Sequence, residues 1–269
     1  MNGAIGIFDS GIGGLTVLKE INLLLPNENL IYFGDTARVP YGTKSRDTVT
    51  RFSTEIVEFL ISLKVKMIVV ACNTSSALAL PSLINKFPIP FIGVIKPGAE
   101  EAVSVSSSGR IGVIGTRATV ESGAYEKEIH KFSPMAQVFS RACPVFVSLV
   151  EEGWTEHPAT RLIAEEYLKP LKEKEIDTLV LGCTHYPLLK SLIQEIMGDK
   201  IRVVDSAHAC SLAVQKALAE RNLSNKSGKT GEVIYYVSDM PEKFEELSSR
   251  FLGRHIRNVI LHDNSGAIK

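Results

Sequence analysis

Two cysteine loops hold the residue types best able to do chemistry: Val70-Ala71-Cys72-Asn73-Thr74 and Leu181-Gly182-Cys183-Thr184-His185. Each follows a short apolar run, residues 67–71 or 178–181, and precedes a segment of helical character, from about residue 75 or 187. Both read as strand, tight loop, helix. Open α/β sheets bind ligands at the C-terminal ends of their strands. A helix N-terminus at such a loop is expected to lower the thiol pKa by favouring the thiolate. Two equivalent loops, one in each half of the chain, place two thiols toward a common cleft. Thiols on opposite sides of a small substrate suit proton transfer at carbon. One thiolate removes a proton from one face, and the opposing thiol delivers a proton to the other, inverting the centre. An unperturbed thiol pKa of about 8.5 keeps both protonation states within reach of neutral pH.

The remaining cysteines, Cys143 and Cys210, have no polar cluster beside them and read as small buried hydrophobes. No C-x-x-C pair occurs, which excludes a zinc ribbon or thioredoxin motif. His185, two residues from Cys183, is placed to act as its proton partner; His130, His157, His208, His255 and His262 have no such company. No His/Asp/Glu set has metal-ligand spacing, and neither a G-x-S-x-G elbow nor a phosphate-binding G-x-x-x-x-G-K-[ST] loop is present. No metal or other cofactor is expected.

Gly11-Ile12-Gly13-Gly14 after a strand, with Asp35 about twenty residues on, invites a dinucleotide reading. The pattern fails, because Thr16 stands where a third glycine or alanine belongs and the charge of Asp9 opposes a pyrophosphate. A helix-opening turn that presents Asp9 and Ser10 to the cleft fits better, its amides and hydroxyl suited to a carboxylate. Pro40-Tyr41-Gly42 is by itself an ordinary turn, and gains interest by falling between two strand ends on the ligand side.

The elements that must position these groups alternate. Apolar runs at residues 4–8, 30–33, 67–71, 88–93, 110–115, 136–140, 178–181, 201–205, 233–237 and 259–261 are separated by helical periodicity, the spacing of parallel βαβ units. The run Arg110-Ile111-Gly112-Val113-Ile114-Gly115 echoes Ala4-Ile5-Gly6-Ile7-Phe8-Asp9, which points to an internal duplication with its boundary near residues 95–109. At 269 residues, 45% hydrophobic and 22% charged, the chain has the composition of a globular α/β protein of one or two domains. Its net charge of zero gives no basic surface for nucleic acid or anionic lipid. No apolar run approaches the roughly 20 residues of a membrane span. Asp9 interrupts the first apolar stretch, so no signal peptide is read and the cytoplasm is the expected compartment, where structural disulfides are not expected. No long segment precedes the first strand, so regulation through such an extension is not expected.

At these residues the chain resembles the glutamate racemases, the cofactor-independent amino-acid racemases of bacteria. The resemblance rests on residues 6–14 (GIFDSGIGG), Pro40-Tyr41-Gly42, Ala71-Cys72-Asn73-Thr74, Val150-Glu151-Glu152-Gly153 and Gly182-Cys183-Thr184-His185-Tyr186-Pro187. It implies two pseudo-symmetric α/β domains with mainly parallel sheets and the active site between them. It implies too that the C-terminal segment returns to the first domain, giving 1–96 plus 207–269 and 97–206. By the same resemblance Cys72 and Cys183 are the catalytic acid/bases, Asp9, His185 and Glu152 auxiliary groups, and Asp9, Ser10, Tyr41, Gly42, Asn73, Thr74, Thr184 and His185 substrate-binding. The implied substrates are L- and D-glutamate, with D-glutamate supplied to peptidoglycan synthesis. A homodimer is compatible with the sequence, which does not fix the oligomeric state. An aspartate or hydantoin racemase, or a non-catalytic two-lobed binding protein, remains an alternative.

Overall fold

The computed structural model describes residues 3–262. Its ten strands are β1 Ile5–Asp9, β2 Leu30–Gly34, β3 Met67–Val70, β4 Phe91–Gly93, β5 Arg110–Gly115, β6 Gln137–Ala142, β7 Thr178–Gly182, β8 Arg202–Asp205, β9 Val233–Val237 and β10 Ile260–Leu261. They form two sheets, ordered β10-β9-β2-β1-β3-β4 and β6-β5-β7-β8. Every ladder is parallel. Strands β1, β3 and β7 are buried along their whole length, as strands covered on both faces must be.

The duplication read from sequence is visible as topology. In β2-β1-β3-β4 and in β6-β5-β7-β8 the first strand of the set lies between the second and third. The chain therefore reverses direction across the sheet between β1 and β3, and again between β5 and β7. Such a switch point opens a crevice beyond the strand ends, and both cysteine loops sit at one.

Strands β9 and β10 return to the first sheet, where β9 pairs with β2 from Leu30↔Val233 to Gly34↔Val237. A buried ion pair fastens the returning segment. Lys66 Nζ lies 2.5 Å from Glu28 and donates to the Leu223 carbonyl at 2.7 Å, while the Asn225 amide donates to Glu28 at 2.7 Å. Residues 1, 2 and 263–269, which the sequence assigns to the first domain, lie outside the described residues.

Two elements differ from expectation. The helical segment expected from about residue 75 is two helices, Asn73–Leu78 and Leu80–Lys86. The break falls just before Pro81, whose missing N–H suits a helix start and not a helix interior. After Cys183 a short 3₁₀ turn, Tyr186–Leu189, precedes the α-helix Lys190–Met197.

Candidate active site

The first half supplies its thiol from the end of β3. Cys72 caps the helix Asn73–Leu78, its sulfur accepting from the Ser75 amide at 3.5 Å and facing the Ser10 hydroxyl at 3.6 Å. Ser10 directly follows β1, across the switch point from Cys72. Asp9, the last residue of β1, is fully buried behind this wall. One of its carboxylate oxygens accepts the Gly11 amide at 3.0 Å, and the other faces the Thr184 hydroxyl of the second half at 3.5 Å.

The second half repeats the arrangement from β7. Cys183 follows Gly182, and its sulfur stands 3.9 Å from His185 Nδ1. The other ring nitrogen of His185 meets Glu151 at 2.9 Å. The family resemblance implies Glu152 as a further auxiliary group, but the helix Val145–Glu151 ends in a phase that turns Glu151 to the imidazole and leaves Glu152 exposed at its C-cap. Consecutive helical residues point about 100° apart, so only one of the pair reaches His185.

Cys72 and Cys183 line one cavity of about 150 Å³ together with Ser10, Tyr41, Gly42, Asn73, Thr74, Thr184 and His185. Of the sequence-assigned residues, Asp9 and Glu152 are not on its wall; Glu151, Thr116, Val147 and Ser148, which sequence reasoning did not assign to the site, are. Thr116 had a signal in the duplication. The run Gly112-Val113-Ile114-Gly115-Thr116 matches Gly6-Ile7-Phe8-Asp9-Ser10, so Thr116 is the counterpart of Ser10. Its hydroxyl is 3.0 Å from Thr74 Oγ1, joining the halves on the cavity wall. Tyr41 lines the cavity with its hydroxyl turned away, donating to buried Asp35, which also accepts from Ser238 at 2.8 Å. Asn73 is held through its amide oxygen, which accepts from the Tyr125 hydroxyl at 2.7 Å. Its Nδ2 is buried with no protein partner among the described residues.

The glycines of the 11–14 loop serve apposition of the halves. A Cβ on Gly13 would come within 2.3 Å of Thr184 Oγ1 and 2.5 Å of His185 Nδ1. The loop thus packs the first half against the second cysteine loop, and Thr16 Oγ1 reaches the Thr184 carbonyl at 3.1 Å.

The two thiols have different neighbours, Asp9 and Ser10 for Cys72 and His185 for Cys183. Burial, followed by the charge of Asp9, pushes the Cys72 thiol up to about 11; the Ser75 amide and Ser10 hydroxyl pull less strongly the other way. The expected lowering at a helix end is therefore overturned for Cys72, because the loss of water outweighs one turn of backbone dipoles. Burial opposes charge on His185, but hydrogen bonds to Cys183 and Glu151 overcome it and raise the imidazole to about 10. Burial pushes the Asp9 carboxyl up from its ordinary value, against the opposing charge of His185. Cys143 and Cys210 are fully buried and each is pushed up to about 12, mainly by burial, as small hydrophobes of the core. Among the described residues no cluster of three or more His, Cys, Asp or Glu is arranged to hold a metal ion, and no helix is long and apolar enough to cross a membrane.

Fold and site together define a two-lobed parallel α/β protein whose lobes each offer a thiol from a switch point to a shared cavity. The chain belongs to the Asp/Glu/hydantoin racemase family, whose model matches residues 5–214. It is 53% identical over 256 residues to the glutamate racemase of Geobacter metallireducens, covering 95% of each chain. The crystal structure of a Bacillus anthracis glutamate racemase isoform superposes with a TM-score of 0.94 at 39% identity, over 97% of each chain. That of the Francisella tularensis enzyme in complex with D-glutamate superposes at 0.92 and 40% identity, over 99% of each.

Proposed function

We propose that the chain is a glutamate racemase, interconverting L- and D-glutamate by proton transfer at the α-carbon between Cys183 and Cys72, without a cofactor. The observation that carries this reading is the placement of the two thiols at equivalent strand ends of two sheets, on one small cavity. The glutamate racemase relatives, one of them with D-glutamate bound, support the substrate.

In the direction from L-glutamate, the Cys183 sulfur as thiolate takes the α-proton. His185, held charged at neutral pH by Cys183 and Glu151, supplies the adjacent positive charge. The electron pair left on the α-carbon is protonated on its other face by the Cys72 thiol, which burial keeps protonated. The sulfurs exchange protonation states in each turnover, and Asp9 and His185 are the groups through which they are reset. Ser10, Gly42, Asn73, Thr74 and Thr184 offer hydroxyls and amides to the two carboxylates. Residues 1–96 with 207–269, and 97–206, are the two domains of this reading. D-glutamate supply for peptidoglycan synthesis is the role that follows, with the cytoplasm as its compartment.

Incubation of the purified chain with either glutamate enantiomer in deuterated water tests this, with a chiral assay and mass spectrometry. The expected result is approach to a racemic mixture from both sides, with solvent deuterium at the α-carbon of the inverted product. Cys72→Ala and Cys183→Ala should each lose racemisation by at least a hundredfold, the scale of a lost general acid or base. Turnover of aspartate in place of glutamate, or a racemising single-alanine variant, overturns the reading.

A further inference from the structure

Tyr125, in the helix Ala124–Phe132 of the second half, is a buried side chain that meets the neighbours of both thiols. Its hydroxyl donates to the amide oxygen of Asn73, next to Cys72, at 2.7 Å. Its ring fills the space above Gly182, next to Cys183, where a Cβ would lie 3.0 Å from ring carbon Cε2. The same ring closes on Gly98, in the helix Ile95–Val105 that joins the two sheets, with a Cβ there 3.5 Å from it. One phenol thus touches both cysteine loops and the connection between the halves.

The carboxamide of Asn73 has one acceptor and two donors. With the oxygen taken by Tyr125, the side of Asn73 left over is its NH₂, which is buried without a protein partner among the described residues, on a residue that lines the cavity. A buried donor without a partner is costly, and a bound carboxylate satisfies it. A rotated amide would turn its oxygen to the cavity and repel that carboxylate.

We infer that Tyr125 is a positioning residue: by occupying Asn73 Oδ1 from the opposite half, it commits the Asn73 amide to donate to a substrate carboxylate. This deepens the glutamate reading and rests on it.

Tyr125→Phe removes only the hydroxyl and leaves the ring over Gly182. Loss of one neutral hydrogen bond corresponds to a rise in the KM for glutamate of roughly three- to tenfold, with kcat changed less than KM. The hydroxyl also meets the Ser206 side chain, which is not on the cavity wall. In the Asn73→Ala background Tyr125→Phe should therefore add nothing to KM, and loss of the Ser206 contact should show in thermal stability instead. A merely structural hydroxyl would give additive effects or lower kcat and thermal stability alone. Asn73→Asp tests the orientation without touching Tyr125. Its carboxylate keeps an acceptor for the phenol and turns a negative oxygen to the cavity, so KM should rise further than in Asn73→Ala. An Asn73→Asp enzyme that binds glutamate as well as or better than Asn73→Ala overturns the proposal, as does an unchanged KM in Tyr125→Phe. Both outcomes assume a wild-type chain that racemises glutamate. A wild type inert toward both enantiomers defeats the functional reading itself, and the positioning role falls with it.

Discussion

At the scale of single residues, the site is asymmetric where its frame is symmetric. Asp9, at the end of β1, has Gly115 as its counterpart at the end of β5, so the second thiol has no carboxylate in the matching place. It has instead the imidazole of His185, held from the other side by Glu151. Glu151→Gln should weaken a hydrogen bond to a charged ring and lower kcat/KM for L-glutamate by roughly 10- to 100-fold. Glu152→Gln, on an exposed side chain, should stay within about twofold. Steady-state kinetics of the two variants decide between them, and the reverse ranking would mean that the helix ends in a different phase in the working enzyme. This distinction was not legible in the sequence. Two adjacent glutamates are equivalent in a linear pattern, and only the phase of the helix Val145–Glu151 separates them. The Cys72 thiol was misjudged for a related reason. Its helix cap is a local feature that sequence reveals, whereas the burial that outweighs the cap, and the charge of Asp9 that adds to it, depend on how distant parts of the chain pack together.

At the scale of elements, the cysteine loops were legible because everything that makes them is contiguous: an apolar strand, a thiol, then a turn of helix. Thr116 was legible as a helix cap, which it is, accepting from the Thr119 amide at 3.3 Å. That it also faces the cavity followed only from matching β5 with β1. The glycines at 11–14 were read as a turn presenting Asp9 and Ser10; that they also admit the opposite loop needs the second half in place. Gly13→Ala puts a methyl where Thr184 Oγ1 and His185 Nδ1 now stand. The expected result is a loss of about 1–3 kcal/mol in urea unfolding, the usual cost of overpacking. The shift of His185 should lower kcat/KM as well. Stability and kinetics both at wild-type values would show that the two halves can part at this seam without loss.

At the scale of the whole molecule, the buried ionisable groups set a pH dependence of stability. His185 rises from its ordinary 6.5 to about 10 on folding, because its bonds to Cys183 and Glu151 outweigh its burial. The folded chain holds that proton more tightly than the unfolded one, so the gain is complete below pH 6.5 and is lost as pH rises through about 10. Cys72, raised from 9.0 to about 11 by burial and Asp9, acts in the same sense at higher pH. The urea midpoint should therefore fall between pH 7 and pH 10, and His185→Asn should flatten the lower part of that fall. A midpoint that rises over this range would contradict the folded-state proton balance. The return of β9 to β2 has a consequence for synthesis on the ribosome. The second sheet is built wholly from residues 110–205, and its strands emerge together. The first sheet is different: about 200 residues separate the end of β2 from the start of β9, roughly 10–40 seconds of translation at 5–20 residues per second. Throughout that interval β2 presents an unpaired backbone edge flanked by Leu30, Ile31, Tyr32 and Phe33, the kind of surface on which chains aggregate. The nascent chain thus carries a finished second sheet beside an open first one, and the strand that seals the first is made only after the whole of the second.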